Sequence, residues 1–168
     1  GSGSTPRGGQ AAYAATGIPF LRSQNVWNEG LKVHDIAYIT KETHQRMSNT
    51  IVYPSDILLN ITGASLGRPV IFPDTYPEAN VSQHVTIIRL IESSMIPFVH
   101  LCIQSPLLQK TVWERQVGMA IEGLSKKVLE LFEITVPPLA EQHRIVAKVN
   151  ELIAICDQLK AKLQQSQE

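Results

Sequence analysis

Residues 63–67 read Gly63-Ala64-Ser65-Leu66-Gly67 and fit G-x-S-x-G, the spacing of a serine-hydrolase nucleophile elbow. In an elbow the serine leaves a strand on a sharp turn and enters a helix, which exposes its oxygen near free amides. A histidine such as His84 would then serve as its general base. The strand before the turn is present, because residues 56–62 are apolar and β-favouring. The helix after it is missing. Arg68-Pro69-Val70-Ile71-Phe72-Pro73 is a β-favouring run closed by proline. The context therefore supports a glycine-rich turn between two strands, with Gly63 and Gly67 supplying positive φ or room for close backbone approach.

Other polar residues cluster in ways that suit an anionic, base-bearing ligand. Arg22-Ser23-Gln24-Asn25 follows a short apolar run. Arginine pairs with guanine edges in the major groove, and glutamine and asparagine pair with adenine edges. An ordinary polar loop has the same composition. Asn60 and Thr62 alternate with Leu59 and Ile61, which gives that strand a polar face. Ser65 and Arg68 follow in the turn, where glycines let the backbone approach phosphates. Gln83 and His84 open the next strand, where a hydrogen-bonded structural histidine is the plainer role for His84. Lys126 and Lys127 begin a short helix whose free amides suit phosphate, although a solvated face has the same charge pattern. These residues are candidates for one shared polar surface.

The remaining candidates point elsewhere. His34, His44, His100 and His143 share no metal-like spacing. Trp27 and Trp113 suit core or interface packing better than base stacking. Arg115 and Gln116 end a helix and suit either DNA or a partner. No adenine-methyltransferase signature, phosphate-binding loop or nuclease carboxylate cluster is visible, which fits a reader rather than a catalyst.

The elements that must position these residues follow from pattern. Strands are expected over 18–21, 36–39, 56–62, 69–72, 83–91 and 134–136, and helices over 43–47, 96–104, 107–117 and from Ser125 to 131. Loops are expected over 73–80 and 118–123, and residues 1–17 show no strong pattern. The opening Gly1-Ser2-Gly3-Ser4-Thr5 suits an appended linker or a native glycine-rich loop.

After Pro137-Pro138 the chain has no glycine or proline. Ile145, Val149, Leu152, Cys156, Leu159 and Leu163 then recur at heptad a/d spacing, so the pattern predicts one long helix with a narrow apolar seam. Either a second long helix covers the seam or the helix folds back on its own domain. A seam that runs to the end of the chain favours the partner.

In total, 168 residues with 43% hydrophobic and 18% charged side chains suffice for one core with an appendage. Fifteen basic and fifteen acidic residues cancel, so any polyanion site must come from local clustering. Arg7 and Arg22 both precede the first acid, Glu29. Cys102 and Cys156 have no metal spacing, no signal peptide is visible and no apolar run reaches membrane-spanning length. A reduced, cytoplasmic chain without a membrane partner is expected.

The order of four stretches resembles half of the specificity subunit of a type I restriction-modification enzyme. They are Gly17-Ile18-Pro19-Phe20-Leu21 with Ser23-Gln24-Asn25-Val26; Ser55-Asp56-Ile57-Leu58-Leu59 with Gly63 and Gly67; Ile121-Glu122-Gly123-Leu124-Ser125 with Leu129; and Pro137-Pro138-Leu139 with Glu141-Gln142, Arg144-Ile145-Val146 and Lys148. Ser55 departs from the family's usual glycine. The resemblance implies an α+β target recognition domain over residues 1–136, followed by a conserved coiled-coil helix over 137–168. It implies a non-catalytic reader of one half of a split double-stranded DNA target, with Arg22, Ser23, Gln24, Asn25, Asn60, Thr62, Ser65, Arg68, Gln83, His84, Lys126 and Lys127 expected to form one DNA-facing surface. The helix would pair antiparallel with that of the second half of the subunit, or with a homodimer mate. Methyltransferase subunits using S-adenosylmethionine would flank it, and a restriction subunit using ATP and Mg would join them, with no cofactor in this chain. The polar end over 164–168 suggests a fragment of a longer subunit. A coiled-coil assembly protein without a DNA role is the competing reading of the heptads.

Overall fold

The structure, a computed structural model, describes residues 1–115 and 123–166. In chain order the strands are β1 (Tyr13–Ala14), β2 (Ile18–Leu21), β3 (Val26–Trp27), β4 (Gly30–Leu31), β5 (Ala37–Ile39), β6 (Ile51–Val52), β7 (Ile57–Asn60), β8 (Pro69–Ile71), β9 (Ala79–Val81) and β10 (Val85–Ile88). The helices are α1 (Lys41–Arg46), α2 (Ile96–Gln104), α3 (Pro106–Glu114), α4 (Lys126–Leu129) and α5 (Leu139–Gln165). A five-stranded sheet runs β1-β5-β2-β9-β6, with β2 and β9 parallel and the other pairs antiparallel. A three-stranded antiparallel sheet runs β10-β7-β8, and β3 and β4 form a small ribbon.

Alternation along the strands sets the layers. Leu58 of β7, Val70 of β8 and Val85 and Ile87 of β10 meet Leu21, Val52, Ala79 and Val81 of the larger sheet in one core. Ile57, Leu59 and Ile61 point the other way, into a second core with Ile96, Val99, Ile103 and Val112 of α2 and α3 and with Leu124. Strand β7 is thus buried on both faces, which explains its near-continuous apolar run. Phe20 and Ile39 leave the far side of the larger sheet to meet Met47 just after α1.

Two buried polar residues inside these layers, Asn80 and Asp56, are held by networks of hydrogen bonds. Asn80 of β9 is wholly buried; its amide donates to the Met47 carbonyl (3.0 Å) and to Thr50 Oγ1 (2.9 Å), and His44 Nδ1 lies 2.6 Å from its carbonyl oxygen. That network ties α1 to the sheet. Asp56 opens β7 and receives a two-pronged ion pair from Arg89, at 2.7 and 2.6 Å, while the Tyr53 amide donates to it at 2.8 Å. Ser105 and Ser125 cap α3 and α4 by accepting from the Leu108 and Val128 amides.

Several sequence expectations need correction. Residues 73–80 are not loop throughout, because β9 lies at their end; its alternation is hidden by the buried Asn80. Residues 134–136 form no strand; Ile134 instead packs on the second core. The strand expected over 83–91 forms only as Val85–Ile88. The patternless N-terminus contains β1, and Gly1 to Ser4 are not a free linker: Gly1 and Gly3 exchange backbone bonds with Ile87 and Val85 along the edge of β10. A Cβ on Gly3 would lie 2.0 Å from the Ser82 carbonyl oxygen, so only glycine fits that approach. The end of the helix expected over 107–117, the loop over 118–122, Gln116 and the Ile121-Glu122 pair lie outside the described residues.

Helix α5 begins directly after Pro138. Its first turns pack on α2 and on the Ser93–Met95 turn, and Gln142 is buried there with its amide donating to the Pro137 carbonyl at 2.8 Å. From residue 150 onward every described side chain is exposed.

Ser55 is the one non-glycine residue with positive φ (75°) among the described residues, at the third position of the turn 53–56. A left-handed conformation strains a residue that carries a Cβ. Ser55→Gly is therefore expected to stabilise the protein by about 0.5–1 kcal/mol and to raise the melting temperature by roughly 2–5 °C, measured by thermal denaturation.

Candidate nucleic-acid interface

The ends of three strands converge on one shallow groove. The chain leaves β2 through Ser23 and Gln24, leaves β7 through Thr62, Gly63 and Ser65, and enters β10 at His84. Arg68 and Trp27 complete the lining. The turn 61–68 is closed by backbone bonds from Gly67 N to the Asn60 carbonyl (2.9 Å) and from Asn60 N to the Arg68 carbonyl (3.0 Å). Gly63 and Gly67 take positive φ of 65° and 84°, as their place in a tight turn demands.

Trp27 is the centre of the groove. Its indole N–H donates to the Gln24 carbonyl at 2.8 Å. Lys32 Nζ lies 3.2 Å from its ring centroid, and the Arg68 guanidinium carbon lies 4.1 Å from it. Each such contact contributes about 0.5–1 kcal/mol at an exposed site. Among the described residues no carboxylate pairs with Lys32 or Arg68. The groove therefore presents cationic side chains on an aromatic platform, beside the hydroxyls of Ser23, Thr62 and Ser65. Such a surface suits a phosphate backbone with neighbouring base edges.

The expected site residues divide. Ser23, Gln24, Thr62, Ser65, Arg68 and His84 are brought together. Arg22 is not: its Nη2 donates to the carbonyl of Asp35 at 2.9 Å and to its carboxylate at 3.3 Å. The same carboxylate accepts from Gln24 Nε2. Asn25 and Asn60 are corrected from surface residues to buried supports, 1% and 0% exposed. Asn25 accepts from the Arg22 amide (2.9 Å) and donates to the carbonyls of Lys32 (2.9 Å) and Asp35 (3.2 Å), which shapes the loop after β2. Asn60 donates to the Ser23 and Val26 carbonyls at 3.0 and 3.1 Å. The polar face read on β7 is thus an internal face, because that strand has no solvent side. Gln83 is exposed beside the groove. Lys126 faces a different cavity, with Gly1, Ile87 and Glu130, and pairs with Glu130 at 3.6 Å; Lys127 is exposed and outside the groove lining.

Trp27 and Lys32 are the residues that sequence reasoning missed. The signal was a cation five residues after a tryptophan, across the β3–β4 ribbon where Trp27 faces Gly30. Cross-strand geometry makes them neighbours, and helical or motif spacing does not.

The hydrolase geometry does not form. His84 Nδ1 engages Thr62 Oγ1 at 2.8 Å, and Ser65 Oγ points to the Thr62 carbonyl at 3.4 Å. The turn returns into β8 and not into a helix. No group of metal-holding side chains occurs among the described residues. Burial against α2's neighbours shifts His100 toward its neutral form and pushes the Cys102 thiol up. No described helix is long and apolar enough to cross a membrane.

The heptad residues also divide. Ile145 and Val149 are half-buried where α5 meets its own domain, whereas Leu152, Cys156, Leu159 and Leu163 are exposed.

Fold and groove define a class: a mixed α+β domain that gathers polar and cationic side chains at its strand ends and carries a long helix with an open apolar seam. The type I restriction modification DNA specificity domain matches residues 2–167, and the chain belongs to that family. It is 26% identical over 148 residues to the type I restriction enzyme EcoBI specificity subunit of Escherichia coli, covering 88% of this chain and 31% of that protein. It is 22% identical over 152 residues to the EcoKI specificity subunit of Escherichia coli strain K12, covering 88% and 32%. Among solved structures, the fold matches a chain from work on complex assembly and conformational transition of the type I R-M system, with TM-score 0.69, 19% identity and 98% and 38% of the two chains covered. It also matches the HsdS subunit from Thermoanaerobacter tengcongensis, with TM-score 0.60, 20% identity and 99% and 37% covered. The chain thus spans about a third of the length of these relatives.

Asn60→Leu removes both donors while keeping the volume close. It removes the Asn60 bonds to the Ser23 and Val26 carbonyls, and is expected to cost about 1–3 kcal/mol, measured by urea denaturation.

Proposed function

We propose that this chain is the non-catalytic reader of one half of a bipartite double-stranded DNA target. The observation that carries this is the groove around Trp27, where Arg68 and Lys32 lie among hydroxyls and amides at three strand ends, with no carboxylate partner among the described residues. Family membership supports the same reading. Arg68 and Lys32 meet phosphates, and Ser23, Gln24, Thr62, Ser65 and His84 meet the bases or the sugar edge. Arg22 joins only if DNA draws it from Asp35. Residues 1–136 act as the recognition unit and residues 137–168 as the helical spacer.

The exposed half of the α5 seam pairs antiparallel with the helix of the second recognition half or with a homodimer mate. Methyltransferase subunits then act on adenines beside the bound half-site with S-adenosylmethionine, and a restriction subunit supplies ATP- and Mg-dependent cleavage. A coiled-coil role alone leaves the groove without a purpose.

The decisive test is a domain exchange. Residues 1–136 replace the matching recognition domain of a working type I complex in a methylation-free host, and modified adenines are mapped genome-wide. A new motif changed in one half only is expected. An assembled complex that keeps the old motif, or makes none, removes the DNA assignment. In direct binding, Arg68→Ala is expected to weaken duplex affinity at all sequences and to reduce the salt slope by about 1, without unfolding. For the stalk, Leu159→Lys is expected to leave domain stability within about 0.5 kcal/mol. The same change should abolish helix-driven association in analytical ultracentrifugation.

A further inference from the structure

Helix α3 reaches across to the groove through one side chain. The Gln109 amide donates both of its hydrogens, one to the Gly67 carbonyl at 2.7 Å and one to the Ile103 carbonyl at 2.8 Å. Ile103 lies in the last turn of α2, and Gly67 is the residue before Arg68. A Cβ on Gly67 would sit 2.5 Å from Gln109 Oε1, so the amide packs closely against the turn. The turn's other ties run within residues 60–68 and, at its Ile61–Thr62 end, to His84 and Leu124: the Ile61 amide donates to the His84 carbonyl (3.0 Å), Thr62 Oγ1 lies 2.8 Å from His84 Nδ1, and the Leu124 amide donates to the Ile61 carbonyl (2.8 Å). Among the described residues, none of these bonds ties the Gly67–Arg68 end of the turn to α2 or α3.

Arg68 depends on that placement. Its guanidinium lies over Trp27, and its one hydrogen bond among the described residues is a long one, 3.5 Å to the Ala64 carbonyl. A second tie steadies the Trp27 side: Gln104, at the end of α2, donates to the Asn28 carbonyl at 3.4 Å, next to Trp27 in the ribbon. Turn and ribbon are therefore both referred to the α2–α3 corner.

We propose that Gln109 is the positioning residue that holds Arg68 over Trp27 in its binding pose, and so sets DNA affinity without touching DNA. This rests on the reading of the groove given above. A glutamate in its place keeps the shape and loses both donors. It also puts a carboxylate against the Gly67 and Ile103 carbonyls, so the turn is released.

The test uses the full chain in a Trp113→Phe background, in which Trp27 is the remaining tryptophan. Acrylamide quenching of Trp27 reports whether Arg68 still covers the indole, with no DNA present. Fluorescence anisotropy with a labelled duplex pool of random sequence reports binding, and circular dichroism checks folding. Gln109→Glu and Gln109→Ala are both expected to raise quenching and to weaken duplex binding by roughly three- to tenfold, the scale of a lost hydrogen bond. In the Arg68→Ala background the same changes are expected to add nothing further to the loss in binding. A folded Gln109 variant with unchanged quenching and unchanged affinity overturns the proposal, as does a loss that adds fully to that of Arg68→Ala. If Arg68→Ala itself leaves affinity unchanged, the groove reading has failed and takes this proposal with it. If Arg68→Ala weakens binding and neither Gln109 variant does, the groove reading stands and the positioning role is lost.

Discussion

Strand β7 has no face toward solvent, and most of the molecule follows from that constraint. Its even side chain Leu58 fills one core and its odd ones Ile57, Leu59 and Ile61 fill another. A strand buried on both sides needs a layer on each, so the larger sheet must lie across one face and α2 with α3 across the other. The strand also needs its polar ends satisfied. Asp56 at its start is held by Arg89, and Asn60 at its end spends its amide on the Ser23 and Val26 carbonyls. The second of these ties is the one that shapes the groove. It pulls the loop after β2 against the end of β7, and so creates the groove as a by-product of satisfying a buried amide.

The groove is accordingly a surface of strand ends. Side chains inside the strands are committed to the cores, so the groove is lined by residues just beyond them: Ser23 and Gln24, residues from Thr62 to Arg68, and His84. Loops that are anchored at both ends by a rigid scaffold can differ between relatives without disturbing it.

The sequence disclosed the skeleton well where pattern and burial agree. β2 and α2 fall on the expected residues, the turn at 63–67 joins two strands, and the long helix starts after Pro137-Pro138. It disclosed less where a polar residue is internal. Asn60 and Asn80 each sit among apolar neighbours in a strand; the first was read as a surface contact and the second as loop, because composition does not tell a satisfied buried amide from an exposed one. The groove was half legible. Arg68 and its neighbours follow from the turn, but the pairing of Arg22 with Asp35 and the stacking of Lys32 and Arg68 on Trp27 are long-range facts that no local spacing encodes.

Helix α5 is docked along its first turns and bare from residue 150 to its end. At 1.5 Å per residue the bare part is a rod of roughly 24 Å. A rod fixed at one end magnifies angular error: a tilt of about 10° at the dock moves its tip by roughly 4 Å, a little more than one base-pair step. The dock against α2, with buried Gln142 bonded to Pro137 and Ile145 and Val149 half-covered, is thus a tolerance-setting joint. A small cavity or an overpacked side chain at that joint would leave the groove intact and still misaim whatever the far end of the helix carries.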